Sequence, residues 1–331
     1  MQAKHSIHIA LNLAKLLILP KLLVKNEQMW NESWLFHWKT SWQKGLPMEH
    51  KIIATYCLID EMLKGLNVKN DVRAKITNAE ILTMAYLAVS DFNGNYRKAH
   101  LYLNPSKLFY PIDYSRFIRR INDLHDAIET VFGYLSGLFS TIHPSQIYAI
   151  DSFPVEVCQL QRESQCQLMR HTDLKGYNAS KKRYFYGFKV HMIATTSKEP
   201  VSCYISFGKV SDVKVAYKLI PTLPPNATGI GDKGYVSSKL EHLAQHFGIN
   251  FTPIYRNNQN KNDTDYWIKR KLRKSIETAF SMITAKFGKV IKATSLNGFL
   301  TKLKLFIAAY SIDCFFKLPK AKQQLVFSYA D

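Results

Sequence analysis

The stretch that most constrains the fold is Gln146-Ile147-Tyr148-Ala149-Ile150-Asp151-Ser152, a short apolar run that reaches a carboxylate. Its β-branched and aromatic residues suit a buried strand. A buried strand that stops on an acid delivers that acid rigidly to one edge of a sheet, which is how a metal site is assembled from stiff parts. The same pattern also suits an ordinary core strand whose Asp starts a turn. The remainder of the chain has to decide between the two.

The chain has 331 residues, enough for two domains, and its 47% hydrophobic residues supply a packed core. Lys and Arg number 45 against 25 Asp and Glu, a formal charge of +20. That excess is larger than solubility requires and points to a polyanionic partner, nucleic acid or an anionic surface. The five cysteines are scattered with no C-x-x-C pair, which argues against a disulfide framework or structural zinc and fits a reducing cytoplasm. Cys158, Cys166 and His171 match no zinc spacing and read as non-ligands. The run from Ile7 to Val24 is broken by Lys15, Pro20 and Lys21, so no spanning segment and no stable membrane association are expected. Residues 1–47 read as an N-terminal extension, with Trp30, Trp34, Trp38 and Trp42 on one face if that part is helical.

From Met48 the grammar is helical. Apolar residues recur at helical spacing to Leu66, Thr77-Asn78-Ala79-Glu80 forms a capping box before Ile81, and further helices are expected over Tyr96 to Leu103 and from Asp113 through Ile121. The last carries Arg116, Arg119 and Arg120. Short helices with a basic final member suit either a helix-turn-helix-like DNA-gripping module over residues 48–140 or a helical bundle with a solvated basic face. After Asp151 strands take over: a hairpin (Tyr184 to Thr196 and Val201 to Phe207), a helix opened by Ser211-Asp212, a strand ending on Asp232, a helix from Ser237, a strand from Asn250, and helices over Tyr266 to Phe287 and Leu300 to Phe316. That order describes an α/β mixed sheet with flanking helices over residues 141–318, preceded by an all-α region and followed by a tail, residues 319–331.

Asp151 and Asp232 are then acids at strand ends, and Glu277 borders the apolar stripe of a later helix, with Arg273 one turn before it. Two divalent ions held by hard carboxylate oxygens activate the attacking oxygen and stabilise the leaving one in phosphodiester chemistry. Three acids on rigid elements suit that task, and convergence of Asp151, Asp232 and Glu277 in one cleft is the geometric expectation. Ser211-Asp212 at a helix start reads better as a helix cap than as a rival second acid.

Four segments, in order, resemble bacterial insertion-sequence DDE transposases. Ile150-Asp151-Ser152 resembles the first catalytic Asp, and the stretch from Tyr177 to His191 the region of the second strand. Gly231-Asp232-Lys233-Gly234-Tyr235 resembles the second Asp, and Arg273 to Ser281 the R-x-x-x-E segment with the catalytic Glu. The likeness runs over residues 48–318 and is nearest to insertion-sequence family nine-eighty-two. It implies a ribonuclease-H-like catalytic fold, catalytic and metal-binding roles for Asp151, Asp232 and Glu277, Mg²⁺ as cofactor with Mn²⁺ as substitute, double-stranded DNA at terminal inverted repeats and target as partner, and a homodimer on DNA in the bacterial cytoplasm at the nucleoid. The pattern departs at Arg270, where many relatives carry Tyr, and at Thr284, where they carry Lys; Lys286 is the nearest lysine.

Further DNA-contact candidates are Lys181, Lys182 and Arg183 in a basic, tyrosine-interleaved loop, Arg256 and Asn258 after a strand end, and Arg273. Lys189 and His191 share one strand face, either meeting the acids and the scissile phosphate or serving as a snorkelling lysine and a core histidine.

Overall fold

The computed structural model describes residues 48–106, 108–143, 145–169, 171–179, 181–254, 266–287 and 291–318. The expectations for residues 1–47, the tail 319–331, Arg256 and Asn258 lie outside these described residues. The described chain forms two compact units, divided after Tyr134, with Leu135–Phe316 making the second.

The first unit is helical, with α1 (Met48–Gly65), α2 (Asn78–Ser90), α3 (Tyr96–Leu103) and α4 (Tyr114–Asp123). The capping box forms as the sequence predicts: the Thr77 side chain accepts from the Glu80 N–H at 3.1 Å while the Thr77 N–H donates to Glu80 Oε2 at 2.7 Å. It starts a helix whose residues 81–89 are all buried, so α2 is the unit's central element. In α4 only Phe117 and Ile121 are buried, a narrow stripe that leaves Arg116 and Arg119 in solvent. Arg120 turns inward instead, donating to Asn78 Oδ1 at 2.7 Å and to the Ile76 carbonyl. α5 (His125–Ile142), in whose length the division falls, was missed by periodicity, since Gly133, Gly137 and β-branched residues dilute its helical signal.

The second unit is built on β1 (Ile147–Cys158), β2 (Lys175–Asn178), β3 (Arg183–Thr195), β4 (Pro200–Phe207), β5 (Thr228–Gly231) and β6 (Asn250–Pro253). β1 is central, antiparallel to β3 and parallel to β5, with β6 parallel beyond β5. The outer edge of β3 is shared by β2 and β4, both antiparallel to it. Parallel neighbours need crossovers, and α6 (Asp212–Leu219) and α7 (Ser238–His246) supply them. This antiparallel-then-parallel order is ribonuclease-H-like, as expected from the sequence. β1 and β3 approach so closely that a Cβ on Gly187 would stand 2.1 Å from the Val155 carbonyl oxygen.

The sheet is covered on both faces. Tyr148, Ile150 and Ile193 pack with Val215 and Leu219 of α6 and Leu240 of α7. On the other face Phe153 meets Phe280 of α8 (Tyr266–Ala285) at 4.6 Å between ring centroids. There Phe188 also meets Phe299 of α9 (Leu296–Lys317) at 5.7 Å. One expectation needs correcting. Asp151 does not end its strand: β1 runs on to Cys158, because its antiparallel ladder with β3 continues after the parallel one stops. The β1–β5 ladder ends at Ile150 and Gly231, so Asp151 and Asp232 are each the first residue past it.

Candidate active site

Alternation along β1 places neighbouring residues on opposite faces. Asp151 pairs with Met192 and shares its face with Phe153, hence with α8. Ser152 pairs with His191 and shares its face with Ile150, hence with α6. The site therefore has two sides meeting at one sheet edge.

On the α8 side, Asp151 is largely buried and accepts the Ser152 N–H at 2.8 Å. Burial, reinforced by the negative charge of Asp232, pushes its carboxyl up to about 7; the Ser152 N–H and Arg273 pull the other way, and Asp212 adds to the rise. Asp232 follows β5 and caps a short 3₁₀ turn over Lys233–Tyr235, its Oδ1 accepting the Gly234 N–H at 2.6 Å. Arg273, on α8, reaches both remaining acids. Its Nη1 is 3.6 Å from Asp232 Oδ2, and its Nε donates to Glu277 Oε1 at 3.1 Å, with Nη2 on the same oxygen. Thus one guanidinium spans Asp232 and Glu277 and offsets part of the charge at Asp151. Glu277 itself is exposed and turned onto Arg273. Among the described residues no group of three or more His, Cys, Asp or Glu side chains stands close enough to hold a metal ion. Asp151 and Asp232 thus lie on this side with Glu277 beside them, Arg273 bridging Asp232 and Glu277.

On the α6 side the roles differ from those expected. Asp212 does not cap its helix; Ser211 takes the N-cap position without a side-chain bond. The Asp212 carboxylate instead accepts Lys189 Nζ at 2.8 Å and Ser152 Oγ at 3.1 Å on the same oxygen. A charge partner on β3 outcompetes the local backbone N–H groups that favour a cap. His191 is fully buried, with Nε2 at 2.8 Å from Ser206 Oγ, which itself donates to the Phe207 carbonyl. With the Ser206 hydroxyl hydrogen assigned to the Phe207 carbonyl, Nε2 is the donor to Oγ. Burial pushes the imidazole down to about 4, so it is neutral at pH 7 and its 3.7 Å approach to Asp212 is not an ion pair. Of these two candidates for DNA contact, Lys189 is held by Asp212 and 13% exposed, and His191 is fully buried. Tyr235 lies buried beneath the edge, its hydroxyl held protonated by burial and by the charges of Asp212, Asp151 and Asp232. Asp212 reads in the sequence as a helix cap, and Ser152 and Tyr235 stand inside the segments around Asp151 and Asp232, whereas Ser206 carries no sequence signal and is found only through its bond to His191.

Of the other basic candidates, Lys181 and Lys182 are exposed at the β2–β3 turn, while Arg183 is engaged by Glu156 at 2.5 Å. The family departures also have structural outcomes. Thr284 Oγ1 donates back to the Phe280 carbonyl at 2.8 Å, and Lys286 pairs with Asp313 of α9 at 2.5 Å.

Residues 141–290 match the family model described as Transposase DDE domain. The match covers 150 of the 331 residues, less than half of the chain. It spans β1 through α8 and so contains Asp151, Asp232, Arg273 and Glu277. No curated protein matches the chain. Among solved structures the chain is similar to the cryo-EM structure of a piggyBac transposase synaptic complex with hairpin DNA, at 11% identity over 84% of this chain and 77% of that one, with a TM-score of 0.36. No helix among the described residues is long and apolar enough to cross a membrane.

Proposed function

We propose that this chain is the transposase of a bacterial insertion sequence of family nine-eighty-two, which binds the element's terminal inverted repeats and catalyses Mg²⁺-dependent strand cleavage and strand transfer. The observation that carries this reading is the buried Asp151 beside Asp232, each the first residue past a shared parallel ladder, in a segment that matches a Transposase DDE domain.

The donor chemistry suits a hard divalent cation: carboxylate oxygens, one of them buried against like charge and therefore short of positive charge. Asp151 and Asp232 would hold the metal, Mg²⁺ or Mn²⁺, with Glu277 as the third acid. When bound, the metal supplies activation of the attacking oxygen and stabilisation of the leaving one. Arg273 holds Asp232 and Glu277 together. Arg116, Arg119, Lys181 and Lys182 are exposed and offer phosphate contacts. In cleavage, water attacks an end phosphodiester and the leaving group is a 3′-hydroxyl. In transfer, that hydroxyl attacks a target phosphodiester, so that one bond forms as one breaks without a covalent enzyme intermediate. Holding two ends at once calls for a dimer on DNA, acting at the bacterial nucleoid.

The test uses DNA carrying the element end and Mg²⁺. Asp232→Asn is expected to lose nicking while still binding the end, and full cleavage by that variant overturns the assignment. A pre-cut end offered with target DNA separates this reading from a metal-dependent nuclease on the same fold: joined product supports transposition, and nicking with no joined product supports the nuclease.

A further inference from the structure

We propose that the β2–β3 hairpin is a stacking platform for an unpaired DNA strand, with Tyr177 and Tyr184 as its base-binding surface. The proposal rests on the DNA-recombining function above and adds a ligand state to it. The register pairs Tyr177 with Tyr184 and Lys175 with Tyr186, so these four side chains share one face of the two-stranded ribbon. Tyr186, the inner member, is buried and anchored: its hydroxyl donates to the Met169 carbonyl at 3.2 Å and accepts the His171 N–H at 3.1 Å. The two outer rings are 53% and 58% exposed, 5.1 Å apart and edge to face. Solvating two aromatic rings side by side is unfavourable for a soluble surface and marks a place where something stacks.

The charge pattern identifies what stacks. From Lys175 to Tyr184 the sequence holds four cations and no acid; Lys175 pairs with Glu163 and Arg183 with Glu156 from neighbouring elements, while Lys181 and Lys182 stand exposed at the turn. Cations interleaved with exposed rings suit a polyanion that also presents flat apolar faces, which is single-stranded nucleic acid. Duplex DNA satisfies the cations but hides its base faces in the stack. The turn is held by its own bonds, Lys181 N–H to Asn178 Oδ1 at 3.1 Å and Lys182 N–H to the Ala179 carbonyl at 3.3 Å. The rings are therefore presented by a preformed ribbon, which lowers the ordering cost of binding. Tyr184 stands roughly 26 Å along β3 from Met192, the partner of Asp151, at about 3.3 Å per residue. Strand cleavage at Asp151 and Asp232 releases strand ends that can separate and cross such a distance.

The experiment uses the full chain and a short oligo-dT strand bearing 2-aminopurine, with the corresponding duplex as control. Wild type is expected to bind the single strand and quench the 2-aminopurine. Tyr177→Ala/Tyr184→Ala is expected to weaken single-strand binding about tenfold or more, with the salt dependence retained, while duplex binding stays near wild type. Tyr177→Phe/Tyr184→Phe keeps the rings and is expected to restore binding, which excludes a folding defect as the cause. Lys181→Ala/Lys182→Ala is expected to reduce the slope of log K against log salt by about 1.4 for the single strand. The platform is overturned if the Ala pair binds the single strand like wild type. It is also overturned if the Ala pair loses duplex and single strand equally, or if it changes only the self-association of the DNA-free protein, which would make the rings an interface between copies. If wild type binds neither form of DNA, the transposase reading fails as well; if duplex binding and cleavage persist, the platform alone fails.

Discussion

Asp151 and Asp212 lie at the same sheet edge and are treated in opposite ways. Asp212 is matched within the fold, with Lys189 and Ser152 both on its Oδ1. Asp151, across the sheet, receives one backbone N–H and shares a single guanidinium with two other acids, so burial and Asp232 push it up to about 7. Folding alone would not favour a carboxylate placed against like charge. An acid left short of positive charge inside a fold that can satisfy its neighbour is a functional-site signature. Asp212 shows that the same chain can match an acid with a cation and a hydroxyl on one oxygen.

The largest expected effect tests that division directly. Asp151→Asn should reduce Mg²⁺-dependent nicking by roughly a hundred- to a thousandfold or more, the scale on which losing a charge-stabilising group acts. Asp212→Asn should retain nicking. The comparison breaks if gel assays of end cleavage show Asp212→Asn as inactive as Asp151→Asn, because Asp212 would then belong with the catalytic acids.

The second effect is on stability and depends on pH. In the folded chain Asp151 holds its proton up to about 7, well above the ordinary Asp value of about 4. Between these values the folded state binds the proton and the unfolded state has lost it. Asp151 therefore contributes stability below about pH 4 that disappears as pH rises to about 7, at no more than about 1.4 kcal/mol per pH unit. Urea unfolding in EDTA should show wild type losing stability relative to Asp151→Asn across this window and running parallel to it above. Parallel curves throughout would mean that the Asp151 charge is already compensated.

Smaller and opposite in kind, Asp212→Ala should cost about 2 kcal/mol, because it strands a Lys189 that is only 13% exposed. Asp212→Leu with Lys189→Met should recover most of that loss, since an apolar pair replaces an ion pair without leaving a charge behind. Denaturant midpoints of the single and double variants decide it; equal losses in both would show that the pair itself stabilises the fold.

These differences explain what was legible in the sequence. The strand-hairpin-helix order was readable because apolar alternation and turn residues are local signals, and it led to the ribonuclease-H-like sheet. The Asp151–Asp232 pairing was legible as two apolar runs reaching acids. β2 was read as part of a loop, because four residues around Gly176 carry too little pattern and pair only through β3. The roles of Asp212, Lys189 and His191 were not readable, since they depend on which strand lies beside β1 and in which register. A one-residue shift between β1 and β3 would have put Lys189 and His191 on the Asp151 face, where a DNA contact was a fair expectation. Glu277 lies at the helix border that the apolar stripe predicts, and its bond to Arg273 fits the one-turn spacing of the two residues.

The smallest effect concerns the structural side alone. His191 Nε2 donates to Ser206 Oγ inside a core where His191 is fully buried and Ser206 nearly so. Ser206→Ala removes the acceptor and leaves a buried N–H unsatisfied, which should cost about 1–2 kcal/mol. A neutral imidazole has one escape: it can exchange tautomers, moving its proton to Nδ1, which faces Asp212 Oδ1 at 3.7 Å. Ser206→Ala/Asp212→Leu closes that escape by removing the acceptor that faces Nδ1, so the double variant should lose more than the sum of the singles. Strict additivity in urea unfolding would mean that His191 does not couple to Asp212. The α6 side would then be two independent contacts, not a network balancing the strained acid across the sheet.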